Sequence, residues 1–205
     1  MSDLRVVLIG GTSHAGKSTL AQALARRLGW RWVSTDSLGR HPGRPWAVDA
    51  RPIPAHVTEH YLSLSVGDLT TEQLSHYERM WPVIRSLVET HARDHDAGGL
   101  VLEGSGVWPD RVAGISDSAV AAIWLTASAA TVRSRIYSAS RYAELVDDGP
   151  ILVDKFVGRS IRYNEIMLSA VRRLGLACAD VDDVSSPEAL LGLALQIVDR
   201  GGRLG

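Results

Sequence analysis

The sequence contains little cysteine, no long apolar run and almost no net charge. Cys178 is its one cysteine, so the chain cannot form an internal disulfide, and we expect a protein of a reducing compartment. No apolar run approaches the roughly 18 residues that a membrane-spanning helix requires, and the first residues lack the basic and apolar segments of a secretion signal. These absences predict a cytoplasmic protein with no membrane partner.

The charged residues nearly cancel, because 22 lysines and arginines are balanced by 23 aspartates and glutamates. A net charge of -1 leaves no broad basic surface, which disfavours a nucleic-acid partner. The 205 residues suffice for one domain with a full core, and they include no repeat or low-complexity tract. We therefore expect a single domain over residues 1–205, which acts as a monomer or homodimer.

Short apolar runs alternate with amphipathic stretches along the chain. The runs predict strands at residues 4–9, 30–34, 100–103, 120–125 and 176–181. The amphipathic stretches predict helices near residues 18–28, 56–64, 70–95, 129–142, 153–174 and 185–198. In the third helix, Thr70 and Gln73 have the spacing of a capping box, and Pro82 should kink or split the helix. The alternation predicts an α/β fold with a parallel, doubly wound sheet that binds its ligand at the carboxyl ends of the strands.

One stretch carries a specific motif. Residues 11–18 lie between the first apolar run and the first predicted helix, and they fit the pattern G-x-x-x-x-G-K-[ST]. Such a P-loop turns backbone N–H groups onto nucleotide phosphates, while its lysine reaches the outer phosphates and its serine hydroxyl binds magnesium. We therefore predict Lys17 as a catalytic residue and Ser18 as a metal ligand. The predicted nucleotide-binding residues are Gly11, Thr12, Ser13, His14, Ala15, Gly16, Lys17, Ser18 and Thr19.

Carboxylates end two of the predicted strands. Asp36 follows the second strand, where it is placed to accept a proton from a substrate hydroxyl. Glu103 ends the apolar run 100–102, the form of a Walker B segment, and is predicted to lie on the magnesium side. The structural alternatives are a turn residue for Asp36 and a paired buried carboxylate for Glu103. Gly104 comes next and would let its loop approach the substrate closely, so we place Asp36 and Gly104 on the substrate side.

The order of these features resembles the small-molecule and nucleoside-monophosphate-like P-loop kinases, which include shikimate, gluconate and chloramphenicol kinases and the zeta toxins. The resemblance covers most of the chain, although only the P-loop is specific by itself and no individual member matches. It implies a three-layer P-loop NTPase fold with a five-stranded parallel sheet in the order 2-3-1-4-5. It also implies a helical substrate-binding insertion near residues 37–95 and a lid near residues 138–152.

The same resemblance implies that lid arginines close over the transferring phosphoryl group, for which a bidentate guanidinium is suited. The available cations in and around the lid are Arg133, Arg135, Arg141, Arg159 and Arg162. We select Arg133 and Arg159 as the catalytic arginines.

The resemblance implies that this insertion determines the acceptor, and here the match to any named kinase ends. Candidates for binding an anionic acceptor are Arg40, Arg44 and Arg51, of which we assign Arg40 and Arg44 to the substrate site. Candidates for the walls of a flat or apolar site are Trp46, Trp81 and Trp108. Solvated arginines and core tryptophans are the structural alternative.

These observations predict a kinase that uses ATP and Mg²⁺ to phosphorylate a hydroxyl or phosphate of a small molecule. Two alternatives stay open. One is a nucleotide-dependent switch or binding ATPase without a small-molecule acceptor, and the other is a toxin or antibiotic-resistance phosphotransferase. A guanine-specific GTPase is disfavoured, because its specificity motif needs Asn-Lys-x-Asp and the single asparagine, Asn164, is followed by Glu165.

Overall fold

Five parallel strands form one sheet in the computed structural model, which describes residues 4–39, 43–47 and 52–199. The strands are β1 (Val6–Gly11), β2 (Arg31–Ser34), β3 (Leu100–Glu103), β4 (Val120–Thr126) and β5 (Cys178–Asp180). Their order across the sheet is β2-β3-β1-β4-β5, and each neighbouring pair is parallel. The predicted α/β class and strand order are confirmed.

Helices cover both faces of this sheet. They are α1 (Lys17–Leu28), α2 (Ala55–Ser63), α3 (Val66–Arg93), α4 (Pro109–Ala113), α5 (Ala129–Ser140), α6 (Gly149–Arg173) and α7 (Pro187–Asp199). The short helix α4 has no counterpart among the predicted helices. Within the described ranges, no helix combines the length and the apolar character that crossing a bilayer requires.

Strand β1 lies at the centre of the core, and all of its residues are buried. Val7 and Ile9 belong to a cluster that α1 and α7 complete, whereas Val6 and Leu8 belong to a second cluster with α3 and α6. Successive side chains of a strand point to opposite faces, so a strand covered on both sides must be apolar throughout. The same arrangement places the carboxyl end of β1, where the P-loop follows, in the middle of the sheet.

Helix α3 begins earlier than its sequence pattern predicted. Its capping box is formed by Ser65 and Asp68, and each side chain accepts a hydrogen bond from the backbone N–H of the other residue. Thr70 lies inside the helix and donates its hydroxyl to a backbone carbonyl one turn earlier, so the predicted Thr70–Gln73 box is wrong. Pro82 does not split the helix, because α3 continues through it and buries side chains on both sides of it against the sheet.

Helix α6 is fastened to the insertion. It begins at Gly149, four residues before the predicted start, and the region of the predicted lid also includes the end of α5 and a 3₁₀ turn at Tyr142–Glu144. The ammonium of Lys155 donates to the carbonyl oxygens of Leu62 and Leu64 at 2.9 and 2.8 Å. These carbonyls lie at the C-terminal end of α2, where helix carbonyls lack intrahelical partners. Lys155 therefore caps α2 and joins it to α6.

Candidate active site

A cavity of about 860 Å³ opens beyond the carboxyl ends of β1, β2 and β3. Its walls are the P-loop, the residues that follow β2 and β3, the insertion helices α2 and α3, and parts of α5 and α6. Connections from a central strand and its neighbours diverge at this edge of a doubly wound sheet, which leaves a crevice for a ligand. The cavity therefore brings together elements that are far apart in the sequence.

The P-loop forms a turn at the start of α1. Gly11 has φ 141°, His14 has φ 61° and Gly16 has φ 94°, so three residues of the loop have a positive φ before α1 begins. The Thr12 hydroxyl donates to the carbonyl oxygen of Ser160 at 2.7 Å, which ties the loop to α6. The loop thus leads into the positive, N-terminal end of a 12-residue helix at the wall of the cavity.

Lys17 is a buried cation at the base of this cavity. Its ammonium donates to the carbonyl oxygen of Thr12 at 2.7 Å. Burial lowers the pKa of Lys17, and the negative charges of Glu103 and Asp36 act in the opposite direction. Both predicted carboxylates therefore lie within electrostatic reach of the P-loop lysine.

The two predicted magnesium ligands contact each other. The hydroxyl of Ser18 donates to Oε1 of Glu103 at 3.0 Å, although the two residues are 85 positions apart. Glu103 is 2% exposed, because it ends β3, an interior strand with neighbours on both sides. The pair therefore presents two oxygen donors, the kind of ligand that Mg²⁺ prefers.

Asp36 lines the same cavity from the segment that follows β2. It occupies a 3₁₀ turn at Thr35–Ser37, directly after β2, and its backbone N–H donates to the hydroxyl oxygen of Ser34 at 3.4 Å. The carboxylate is exposed and lines the cavity. A carboxylate in this position is accessible to a ligand, as a group that exchanges a proton with an acceptor must be.

Gly104 lines the cavity, and the structure gives a packing reason for this glycine. It has φ 148°, and a side chain at this position would collide with the Thr35 hydroxyl. Gly104 follows β3 and Thr35 follows β2, so this close approach joins two neighbouring strand ends. The glycine positions the loop after Glu103, whatever contact it makes with a substrate.

We expect Gly104→Ala to lower the free energy of unfolding by about 3 kcal/mol, because a methyl group adds both a collision and backbone strain. Gly192→Ala is the matched control, since that glycine lies in α7 with open space around it and should gain about 0.5 to 1 kcal/mol of helix stability. Urea unfolding of both variants measures the difference. Equal stability of Gly104→Ala and the wild type would contradict the packing role.

Only some of the arginines around the predicted lid line the cavity. Arg159 of α6 lines the cavity and is buried, and Arg135 of α5 also lines it and donates to the carbonyl oxygen of His14 at 3.0 Å. Arg133, which we selected for catalysis, is exposed and does not line the cavity. Residues two positions apart on a helix do not share a face, so α5 can present only one of these two arginines to the site. Two more arginines of this group also lie outside the cavity lining, Arg141 and Arg162.

The insertion contributes one of its predicted arginines. Arg44 is exposed, lines the cavity and lowers the pKa of both His14 and Lys17 through its positive charge. This effect places Arg44 beside the P-loop. Arg40 and Arg51 lie outside the described residues. The candidate wall residues pack elsewhere instead of lining the cavity, in the apolar clusters that include Trp46, Trp81 and Trp108.

Helix α3 supplies cavity residues that the sequence reasoning did not identify. Gln73, Tyr77 and Met80 line the cavity from this helix, and the Gln73 side-chain amide donates to the Tyr77 hydroxyl oxygen at 2.8 Å. Burial raises the pKa of Tyr77. Their spacing of three and four positions was present in the sequence, but it overlaps the apolar face that packs on the sheet. Only the position of α3 over the cavity distinguishes the residues that line the cavity from those that pack on the sheet.

The side chain of His14 lies among aromatic rings of the insertion and α6. Its ring centroid is 5.9 Å from that of Trp46 and 6.3 Å from that of Phe156. Burial, followed by the charges of Arg44 and Lys17, lowers the pKa of His14 from 6.5 to about 4. His14 is therefore neutral at neutral pH. It packs in a cluster of rings with Phe156 and with Trp46, which lies two residues after Arg44 in the sequence.

We expect the free energy of unfolding to fall as the pH decreases from 6.5 to about 4. Over this range the unfolded chain binds a proton at His14 that the folded chain excludes, so acid favours unfolding. His14→Asn should flatten this dependence, because it removes the group that binds the proton. Asparagine is chosen because it tolerates the positive φ of this position. His56→Asn, at an exposed position of α2, is the control and should leave it unchanged. Urea unfolding across this range tests the prediction, and an unaltered slope in His14→Asn would refute it.

No protein-family model matches the chain. In sequence, it resembles the cytidylate kinase of Chlamydia felis, with 28% identity over 151 residues that cover 60% of this chain and 66% of that protein. It also resembles the cytidylate kinase of Bdellovibrio bacteriovorus, with 51% identity over 35 residues that cover 17% of this chain and 16% of that protein. The chain thus matches slightly less than two thirds of the first relative's length and a small part of the second.

Solved structures match almost the whole chain. A gluconokinase from Sinorhizobium meliloti has a TM-score of 0.54 at 14% identity, with 98% of this chain and 95% of that chain covered. Shikimate kinase from Acinetobacter baumannii, in complex with shikimate, has a TM-score of 0.53 at 14% identity and covers 97% and 95%. Deoxyadenosine kinase from M. mycoides, with bound dATP, has a TM-score of 0.52 at 14% identity and covers 95% and 99%. This chain therefore has the fold of the P-loop kinases.

Proposed function

We propose that this protein is a kinase that uses ATP and Mg²⁺ to phosphorylate a hydroxyl or phosphate of a small molecule. The observation that carries the proposal is the convergence of Lys17, the Ser18–Glu103 pair and Asp36 on one cavity. A phosphate-binding cation, two metal-binding oxygens and an accessible base are the groups that phosphoryl transfer requires. The kinase structures that share the fold are consistent with this activity.

Each residue has a defined role in the proposed reaction. The P-loop amides and Lys17 hold the phosphates of ATP, and Arg44 and Arg135 approach the same loop. The acceptor oxygen forms a bond to the γ-phosphorus while the bond from that phosphorus to the bridging oxygen breaks, and ADP leaves with the electron pair. Asp36 accepts the proton of an acceptor hydroxyl, whereas it only orients a phosphate acceptor.

The residues present also fit a magnesium ion. Ser18 and Glu103 would hold it, either directly or through its water shell, and the bound ion would neutralise charge on the phosphates. The described part of the chain contains no group of three or more histidine, cysteine, aspartate or glutamate side chains arranged for a metal. This sparse donor set suits Mg²⁺, which keeps several waters and shares its ligands with nucleotide phosphates.

Acceptor-stimulated release of ADP tests the proposal. The purified protein is incubated with ATP and Mg²⁺, alone and with alcohols, sugars, organic acids, nucleoside monophosphates, aminoglycosides and phenicols. We expect one chemical class to stimulate ADP release and to yield a phosphorylated product by mass spectrometry. Nucleotide binding without stimulation by any class would instead support the switch or binding ATPase. Phosphorylation of an antibiotic would support the resistance phosphotransferase.

A further inference from the structure

Arg159 is the one buried arginine in the described ranges, with 9% of its surface exposed. It makes no ion pair or hydrogen bond with another described residue, and its Nε atom is buried without a partner. Its guanidinium lies over two rings instead, 4.5 Å from the centroid of Phe156 and 5.6 Å from that of Tyr61. Aromatic faces compensate only part of the cost of removing a guanidinium from water. The guanidinium of Arg159 therefore has no negatively charged partner among the described residues.

Arg159 lies at the end of the cavity that the insertion helices form. Arg159 lines the cavity between α6 and α2, where its ring neighbour Tyr61 lies. Burial raises the pKa of Tyr61 and of Tyr77, and the positive charge of Arg159 acts to lower both. Both tyrosines lie on insertion helices, so Arg159 is within electrostatic reach of these helices. The P-loop end has its own set of charged groups, since the pKa of Lys17 responds to Glu103, Asp36 and Arg44. The guanidinium of Arg159 therefore lies at the side of the cavity that the insertion helix α2 and helix α6 form.

A second unpartnered polar atom lies in the same wall. Gln73 and Tyr77 line the cavity, and the Gln73 side-chain amide donates to the Tyr77 hydroxyl oxygen at 2.8 Å. The carbonyl oxygen of Gln73, Oε1, is buried and has no hydrogen-bond partner. Buried acceptors are nearly always paired, so this oxygen indicates a hydrogen-bond donor on the ligand.

We propose that the acceptor is a small organic anion, a carboxylate or a phosphate monoester, whose negative group binds Arg159 and whose hydroxyl or N–H group donates to Gln73. This inference rests on the proposed kinase function. It assigns Arg159 to acceptor binding and leaves phosphoryl stabilisation to Lys17, Arg44 and Arg135. A third point of the ligand, the hydroxyl or phosphate that receives the phosphoryl group, faces Asp36.

Matched pairs of compounds test the charge requirement. The carboxylate arm compares gluconate with glucose and shikimate with its methyl ester, and the phosphate arm compares cytidine monophosphate with cytidine and glycerol 3-phosphate with glycerol. Thermal stabilisation is measured in the presence of saturating Mg²⁺ and ADP, and phosphoryl transfer is measured with ATP. We expect at least one anion to stabilise the protein and to accept phosphate, and its neutral partner to do neither.

Variants of Arg159 then identify the residue responsible. Arg159→Gln should raise the KM of the anionic acceptor by about 30-fold or more, the loss expected for a charge-assisted bidentate contact, with the KM of ATP nearly unchanged. Arg159→Lys should restore part of the affinity. Arg162→Gln, three residues further along α6 at an exposed position outside the cavity, is the matched control and should behave like the wild type.

Three results would overturn this assignment: preference for the neutral compounds, no binding of any anion in the presence of ADP, or a lower kcat in Arg159→Gln with an unchanged acceptor KM. The last result would place Arg159 on the transferring phosphoryl group. Failure of the proposed function is distinguishable, because a protein that is not a kinase would yield no phosphorylated product from any compound of the wider acceptor panel.

Discussion

Asp36→Asn is expected to retain ATP affinity and to lose phosphoryl transfer. Asparagine keeps the shape of the side chain but cannot accept a proton, so kcat should fall by about 10²- to 10⁴-fold, the usual contribution of a general base. The KM of ATP should stay nearly constant, because Asp36 follows β2 and lies outside the P-loop. Steady-state kinetics with the acceptor found in the panel, together with direct ATP binding, measures both quantities.

Asp183→Asn is the matched control for this experiment. Asp183 is an exposed aspartate that does not line the cavity, so its replacement should leave turnover unchanged. An Asp36→Asn enzyme with wild-type kcat would remove the assignment of Asp36 as the base. If the acceptor proves to be phosphorylated on a phosphate group, the effect should shift from kcat to the acceptor KM, because no proton then has to be removed.

Lys17→Met is expected to lose nucleotide affinity without losing stability. The ammonium is buried and its pKa is lowered by that burial, so an apolar side chain of similar length removes a desolvated charge from the folded state. The phosphates of ATP lose a charge-assisted contact, which should weaken binding by about 10- to 100-fold and reduce turnover with it. Calorimetric titration with ATP and thermal unfolding measure the two effects.

Lys155 provides the reciprocal control, since Lys17 and Lys155 are the two lysines of the sequence. Lys155→Met removes the hydrogen bonds to Leu62 and Leu64 and should therefore lower thermal stability. ATP affinity should change little, because Lys155 lies outside the cavity lining. Unchanged ATP affinity in Lys17→Met would show that the lysine serves only to bind the Thr12 carbonyl.

Local patterns predicted most of the elements because their causes are local. The apolar run at β3 matched its observed bounds, since a strand covered on both faces leaves no polar position inside it. The P-loop was identified from eight residues, because its glycines and lysine are dictated by the turn that they must form. The start of α3 was misplaced, because Thr70–Gln73 and Ser65–Asp68 have the same spacing and only the latter pair forms the box.

The sequence by itself determined the fold class and the nucleotide motif. Tertiary structure decided which distant side chains meet. Arg135 lines the cavity and Arg133 does not, which depends on the rotation of α5 about its axis. The burial of Arg159 depends on packing between α6 and α2. No local pattern records these quantities, because they arise from contacts between residues about one hundred positions apart. The P-loop motif therefore predicts a nucleotide-phosphate site from the sequence alone, whereas the proposal about the acceptor rests on the packed cavity.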